Sequence, residues 1–498
     1  MVHDQPIVDA QSKLTAIIPL YFPWLLSCLL RYDPVLSYFI AWLGTGFIFF
    51  HSVSKAANWN SSEDTTLLVM RPLVLIQLVF AGLMSGTSIF YFLDHMGYYF
   101  WTDTLDSKFD SSTATFQLAY AQRIYSFAHA ALASGMIMVL KQQRGIKHQP
   151  SKNSYKWANG YDQLLPGAMI MVLLTIFCLS QTPALNQFAV LLGPVPKCLS
   201  ALILLKGLRS HRHHWTLFAL TYFSYTFYQA AHSGYKEGLF VHVIMLVGII
   251  YPFYRKIVIS LAIPTILALV YLLPTWNITM RDELWEQSAS ADKAAAQAYA
   301  QIMEDDNQEL VKQNSWDFLV NRFSEIGMFR QYISHVPLIR PYYGTQILEN
   351  ALVALIPRAL WEGKPNTEER SMQRVYEADV LSASSEASAK TRTVVDGYLS
   401  AGYTGVFITM ICYGLTCQLL CNTAERLFGG YEMGCIVIFN GLFQQLWRGN
   451  NIEFILNNVV YGLLLMYLIY ILLEHAGVLV KTSDEADQLS QPEFQTAG

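Results

Sequence analysis

The sequence predicts an all-α polytopic membrane protein with about 12 transmembrane helices and one large external loop. Three observations predict it. Of the 498 residues, 53% are hydrophobic and 14% charged, well under the roughly 25% charged residues of soluble domains. Apolar runs long enough to span a bilayer, about 20 residues each at 1.5 Å rise, recur along almost the whole chain. One long polar stretch, residues 275–401, interrupts them.

In chain order the runs cover 14–30, 34–52, 68–93, 115–140, 164–181, 184–205, 215–232, 237–254 and 257–274, giving an N-terminal bundle over 1–274. Runs 402–424, 432–447 and 453–474 form a C-terminal bundle over 402–474, and 475–498 is a polar tail. The first run follows a short polar leader without a small-residue cleavage site, so it reads as a retained helix. All seven cysteines (Cys28, Cys178, Cys198, Cys412, Cys417, Cys421, Cys435) fall in or at the edges of the runs, where they act as small hydrophobes. No disulfide framework is expected. Cys417 and Cys421 share a helix face but lack further ligands nearby, and "HRHHW" (211–215) reads as a basic flank without ligand geometry. The reading therefore calls for no metal and no cofactor.

Lysine and arginine alternate between connections, and positive segments stay in the cytoplasm. With the N-terminus inside, the inner loops carry Lys55, Lys141, Arg144, Lys147, Lys152, Lys156, Lys206, Arg209, Arg212, Arg255, Lys256 and Arg426, while the short outer loops carry Arg31, Lys108, Lys236 and Arg448. The outer "DTLDSKFD" (103–110) is net acidic, in agreement. Both termini are then cytoplasmic, and 275–401 lies in the periplasm of a Gram-negative inner-membrane protein.

A loop of roughly 125 residues far exceeds ordinary connections and is either functional or disordered. "ADKAAAQAYAQIMEDDNQELVKQ" (291–313) is rich in helix formers, and Trp316, Leu319, Phe323, Ile326 and Phe329 recur at helical spacing. These predict two helices lying on or above the membrane. "GTQILENALVALIP" (344–357) predicts a short interfacial or re-entrant helix stopped by Pro357, which delivers Arg358 to the membrane surface. Trp361 suits the headgroup level, and Lys364 is fixed by Pro365 behind it.

The outer face thereby collects Arg322, Arg330, Arg340, Arg358, Lys364, Arg370, Arg374, Lys390, Arg392, Lys236 and Arg448. Arginine presents a permanently charged fork that matches phosphate oxygens in pairs, so such a store suits a diphosphate. Lys236, Arg358 and Arg448 end apolar segments and are the sharpest candidates, although each alone fits a snorkelling anchor. Arg123 lies inside the fourth run and must pair with a carboxylate or with the same anionic ligand. Lys197, flanked by Pro194 and Pro196, has no assigned role. Interfacial belts explain most membrane tyrosines, Tyr225 and Tyr228 included; Tyr342 and Tyr343 of "RPYYG" sit among cations and are candidates for stacking on sugar rings.

The runs "RFSEIGMFRQYISHVPLIRPYYG" (322–344), "IPRALWEGKP" (356–365), "DGYLSAGYTG" (396–405) and "WRGNN" (447–451) together resemble the oligosaccharide repeat-unit polymerases, the Wzy or O-antigen polymerase family. The resemblance covers mainly the C-terminal half, with "SGYKEGL" (233–239) similar to the family's Gly-Ser-Arg/Lys-Gly stretch. It implies a GT-C-like, metal-independent glycosyltransferase of the inner membrane, moving a growing chain from undecaprenyl diphosphate onto a new lipid-linked repeat unit at the periplasmic face. A chain-length regulator and a flippase would be its partners. Arg358 and Lys364 match the family's signature cations, Lys236 its loop cation and Arg448 its late Arg-Gly motif. This chain has "WEGKP" where many relatives place Asp before the lysine, and tyrosine where serine often precedes Lys236.

The chemistry asks for the same residues. Breaking an anomeric carbon–phosphate ester bond expels a diphosphate whose growing charge preplaced cations stabilise. The catalytic candidates are Arg358, Arg448 and Lys236; Arg322, Arg340, Tyr342, Tyr343, Trp361, Lys364, Asp396 and Arg123 are the substrate-binding candidates. Asp396, Glu453, Glu237 and Glu325 are the candidate bases. No P-loop or nucleotide-sugar motif is present, and nothing points to nucleic acid. A glycan ligase of similar fold, and a transporter or flippase without chemistry, are the rival readings.

Overall fold

The computed structural model describes residues 10–59, 69–98, 113–140, 154–158, 160–182, 185–232, 236–286, 290–357, 361, 363–384 and 389–482. Nearly all are helical. The helices are α1 (Ala10–Leu29), α2 (Pro34–Trp59), α3 (Pro72–His95), α4 (Thr113–Val139), α5 (Tyr161–Ser180), α6 (Asn186–Arg209), α7 (His213–His232), α8 (Lys236–Ile250), α9 (Arg255–Arg281), α10 (Ala291–Met303), α11 (Gln308–Asp317), α12 (Ile326–His335), α13 (Gln346–Ala354), α14 (Thr367–Glu377), α15 (Thr393–Leu427), α16 (Tyr431–Leu442), α17 (Gln444–Arg448) and α18 (Ile452–His475). Eight of them, α1, α2, α3, α5, α6, α9, α15 and α18, are long and apolar enough to cross a membrane, which makes this an all-α membrane protein. The sequence predicts further spans at α4, α7, α8 and α16; these are helices too, but each falls short in length or apolarity.

For α4 the reason is visible. It is buried on every side at the centre of the bundle, and it carries polar residues that neighbouring helices satisfy. Gln122 Nε2 donates to Ser85 Oγ at 2.6 Å, Ser88 Oγ donates to Gln122 Oε1 at 3.0 Å, and His129 Nε2 meets Gln77 Oε1 at 3.1 Å. In a low-dielectric bundle such contacts hold helices together while lowering their mean hydropathy. α4 crosses α15 on small residues: a Cβ at Gly135 would stand 2.3 Å from the Ile411 carbonyl oxygen, and one at Gly414 would stand 2.2 Å from that of Leu132. Gly414→Ala is therefore expected to destabilise the protein by about 1–3 kcal/mol, the usual range for overpacking. A melting curve in detergent reads that as a lowered Tm, and an unchanged Tm would mean that the crossing is loose.

The basic connections meet at one end. There Arg71 Nε pairs with Glu425 at 2.8 Å, Lys206 Nζ pairs with Asp162 at 2.8 Å and Glu432 at 2.7 Å, and strand β1 (Tyr155–Trp157) pairs antiparallel with β2 (Leu479–Lys481). The described parts of 290–392 sit at the other end, packed onto the bundle. α9 runs past residue 274, where the sequence reading ends the run at Pro274; Leu273, Pro274 and Thr275 are buried, and Ser315 Oγ donates to the Tyr271 carbonyl at 2.7 Å, one turn before the proline.

The two helices predicted on the membrane surface are instead three, and α12 enters the bundle. Its Ile326 and Phe329 are fully buried, and Phe329 stacks on Tyr125 of α4 at 5.1 Å. α15 reverses at Ala401 and Gly402, whose backbone is not helical (Gly402 φ 58°). In a straight helix, residues eight apart lie about 12 Å from each other, yet a Cβ at Gly405 would stand 2.0 Å from the Gly397 carbonyl oxygen. The limb 393–400 thus folds back along the limb that begins at 402. That re-entrant limb carries its N-terminus, with Arg392 and Thr393, down to the level of Met410 and Tyr413.

Candidate functional site

Two chain reversals meet inside the bundle. One is the start of the re-entrant limb of α15; the other is the turn between α17 and α18, where Gly449 takes a left-handed conformation (φ 68°) and Asn451 Oδ1 caps α18 by accepting from Phe454 N at 3.1 Å. Arg392 ties them together. Its Nη1 donates to the carbonyls of Arg448 (3.1 Å) and Gly449 (2.8 Å), while its Nε lies 2.9 and 2.7 Å from the two carboxylate oxygens of Glu325. Thr393 Oγ1 donates to the Asn450 carbonyl at 2.7 Å.

Behind this lies a fully enclosed knot. Arg374 of α14, 2% exposed, forks onto Glu453 of α18 through Nη1–Oε1 (2.7 Å) and Nη2–Oε2 (2.8 Å), and its Nη2 is 3.0 Å from Asp396 Oδ1. Asp396 also accepts from Thr391 Oγ1 at 2.6 Å and from Ile452 N at 2.9 Å. Burial works against the Arg374 cation, but Asp396 and Glu453 more than offset it, so its pKa is raised and it stays charged. Taken as formal charges, Arg374 and Arg392 (+2) face Asp396, Glu453 and Glu325 (−3); Arg448 and Lys197, which lie within electrostatic reach of each other, add +2, leaving one net positive charge.

A small cavity of about 40 Å³ opens beside the two reversals. Its walls are almost entirely apolar, built by Ile76, Phe80 and Met84 of α3 with Met410 of α15, and Arg392 and Arg448 stand at its polar end. An apolar slot this small has room for the first carbons of an alkyl or prenyl chain, and the guanidinium groups at its end have the chemistry to hold an anionic head by paired hydrogen bonds.

Of the residues expected from sequence, Arg448 and Asp396 come together here, although Asp396 is 0% exposed and its carboxylate is engaged by protein groups. Arg340 and Tyr343 form a second group. Arg340 pairs with Glu377 and lies over the Tyr343 ring at 4.0 Å, and Tyr343 donates from its hydroxyl to Glu377 Oε2 at 2.6 Å. Burial raises the Tyr343 pKa, against the pull of Arg340 and Arg374, so the phenol remains a donor. Tyr342 packs edge-on to Tyr398 with centroids 6.0 Å apart. Lys364 acts as a cap: its Nζ donates to the carbonyls of Ala354 and Ile356, both at 2.7 Å, and secures the end of α13 against α18. Trp361 is 39% exposed, and Arg322 lies exposed on the π-helical turn Phe318–Phe323. Arg123 is buried on α4 and is treated below. Arg358 and the side chain of Lys236 lie outside the described residues.

Sequence reading left Arg374 and Arg392 undistinguished within the store of loop cations, yet they organise the site. Their spacing from the apolar start of α15 was the available signal, but only the backbone reversal at 401–402 shows that they point inward. Among the described residues one group could hold a metal ion: Cys421, Glu425 and Cys435 place ligand atoms within 4.8 Å of one another at the basic end, with Cys435 rather than Cys417 beside Cys421. Glu425 is already committed to Arg71, and Cys435 Sγ donates to the Met70 carbonyl at 3.2 Å.

A family model described as a domain of unknown function (DUF8712) matches residues 22–481. No curated protein and no solved structure matches the chain.

Proposed function

The chain belongs to the DUF8712 family, whose description assigns no activity, and from its residues we propose an inner-membrane polysaccharide polymerase, a GT-C-like glycosyltransferase that moves a growing glycan from undecaprenyl diphosphate onto a new lipid-linked repeat unit. The observation that carries this reading is the meeting of three of the four resembling runs, through Glu325, Asp396 and the Arg448 turn, at the polar end of an apolar cavity. The positive-inside rule assigns the basic end, with both termini, to the cytoplasm and gives the polar end of the cavity access from the periplasm. A chain-length regulator and a flippase would work alongside.

In this scheme Arg448 receives the diphosphate, and the apolar slot beside it meets the first carbons of the polyprenyl chain. The acceptor hydroxyl oxygen bonds to the anomeric carbon as the bond from that carbon to the phosphate oxygen breaks. The electron pair leaves with the diphosphate, whose charge Arg448 stabilises, and the hydroxyl proton passes to a carboxylate. Asp396 and Glu453 are closed off around Arg374, whereas Glu325, at 15% side-chain exposure, is the carboxylate at the edge of the site. Glu325 is therefore assigned the base.

Deleting the gene tests the class. A polymerase mutant leaves single repeat units attached to their final acceptor; long chains stranded on the carrier lipid would indicate a ligase, and accumulation of unpolymerised units on the cytoplasmic side would indicate a flippase.

A further inference from the structure

Arg123 belongs to a different place. Residues two apart on a helix face about 200° away from each other; Tyr125 turns toward Phe329 and the Glu325–Arg392 pair, whereas Arg123 turns toward α2, where its Nη1 donates to Ser37 Oγ at 2.8 Å. Ser37 in turn donates to the Ser27 carbonyl at 2.8 Å, which orients its lone pairs toward the guanidinium. Arg123 is 8% exposed, and among the described residues no carboxylate lies within ion-pair distance of it. A bare guanidinium inside a bundle is costly and calls for an anion.

A chain of aromatic rings leads away from it. Its guanidinium carbon lies 5.5 Å from the Tyr120 ring centroid, and Tyr120 packs edge-on to Tyr398 (6.5 Å) and Tyr403 (5.8 Å). Tyr398 stands between the two sites, edge-on to Phe329 as well, at 5.6 Å. Tyr342, 40% exposed, provides the way in at the loop end. The other charged groups facing this region are Arg31, bonded to its neighbour Tyr32, and Asp33, which caps α2 by accepting from Leu36 N at 3.0 Å.

We propose that Arg123, with Tyr120 against its guanidinium and Tyr398 and Tyr342 beyond it, is a second anion site that takes the phosphate of a membrane-borne lipid. Resting on the polymerase reading, that lipid is the acceptor, held one tyrosine away from the donor. A guanidinium gives the phosphate a paired fork, and the ring faces suit the first sugars. A phospholipid headgroup presents the same phosphate chemistry.

Native mass spectrometry of the full chain in detergent tests this with geranylgeranyl diphosphate in one arm and phosphatidylglycerol in the other. The wild type is expected to bind two diphosphate lipids and Arg123→Gln one, with the second affinity lowered about tenfold or more, the loss of a charge-assisted hydrogen bond. Arg123→Lys, which keeps the charge but not the fork, is expected to lose several-fold and carries the test if the glutamine variant is poorly recovered. If phosphatidylglycerol alone shows the Arg123-dependent second binding, the occupant is a phospholipid and the acceptor assignment falls. Equal stoichiometry and affinity in wild type and variants for both lipids overturns the site. Because binding is counted without turnover, failure of the polymerase reading leaves this result intact.

Discussion

Arg448→Ala is expected to lower polymer formation by about 100- to 1,000-fold, the loss seen when one preplaced donor to a developing anion is removed, with protein abundance unchanged. The structure separates the two outcomes because Arg392 holds this turn by the carbonyl oxygens of Arg448 and Gly449, which the substitution leaves in place. Gly449 keeps its left-handed conformation whatever stands before it, and Asn451 still caps α18. Truncation therefore removes the guanidinium from the cavity and keeps these backbone contacts of the reversal. Arg448→Lys should recover part of the rate, since a point charge remains without the bidentate fork. Rates on purified protein, set beside immunoblots of membranes, decide the matter: a fall in abundance that accounts for the lost polymer would make Arg448 an anchor.

Arg374→Ala is expected to act the other way, lowering abundance and Tm through a loss of about 3–5 kcal/mol, the cost of stripping one partner from a buried ion pair. Glu453 and Asp396 are both 0% exposed; Asp396 would keep the Thr391 hydroxyl and the Ile452 amide as donors, and Glu453 would lose both Arg374 donors. The same physics supplies the control. Replacing the whole knot with apolar or neutral groups, Arg374→Met with Glu453→Leu and Asp396→Asn, should return much of the lost stability, because no uncompensated charge remains. A triple variant as unstable as the single one would show that the network is needed for more than its own neutrality.

The helices were legible in the sequence because membrane spans are written in composition: every predicted run falls on helix. The ends of the polar segment were not. Pro274 reads as a stop, but it is buried with Leu273 and Thr275 and the helix continues to Arg281. The reversal at Ala401 and Gly402 left a mark in "SAGYTG", which small residues make possible, but close packing of Gly397 on Gly405 is a tertiary fact. Arg448 and Asp396 could be picked out because they border apolar runs. Lys364 could not be told from a ligand-binding cation, since its partners are backbone carbonyls that any sequence possesses. Arg374 and Arg392 were hidden for the converse reason: 22 positions separate Arg374 from Asp396, 67 separate Arg392 from Glu325 and 79 separate Arg374 from Glu453, and only the fold brings these charges together.

Purified protein supplied only with lipid-linked repeat units, in EDTA and without nucleotide sugar or any energy source, provides the most direct measurement. A ladder of longer lipid-linked glycans, with one undecaprenyl diphosphate released per unit added, is the expected result. No chain growth, or growth that requires a nucleotide sugar or a divalent metal, would contradict a site in which arginines alone receive the leaving diphosphate.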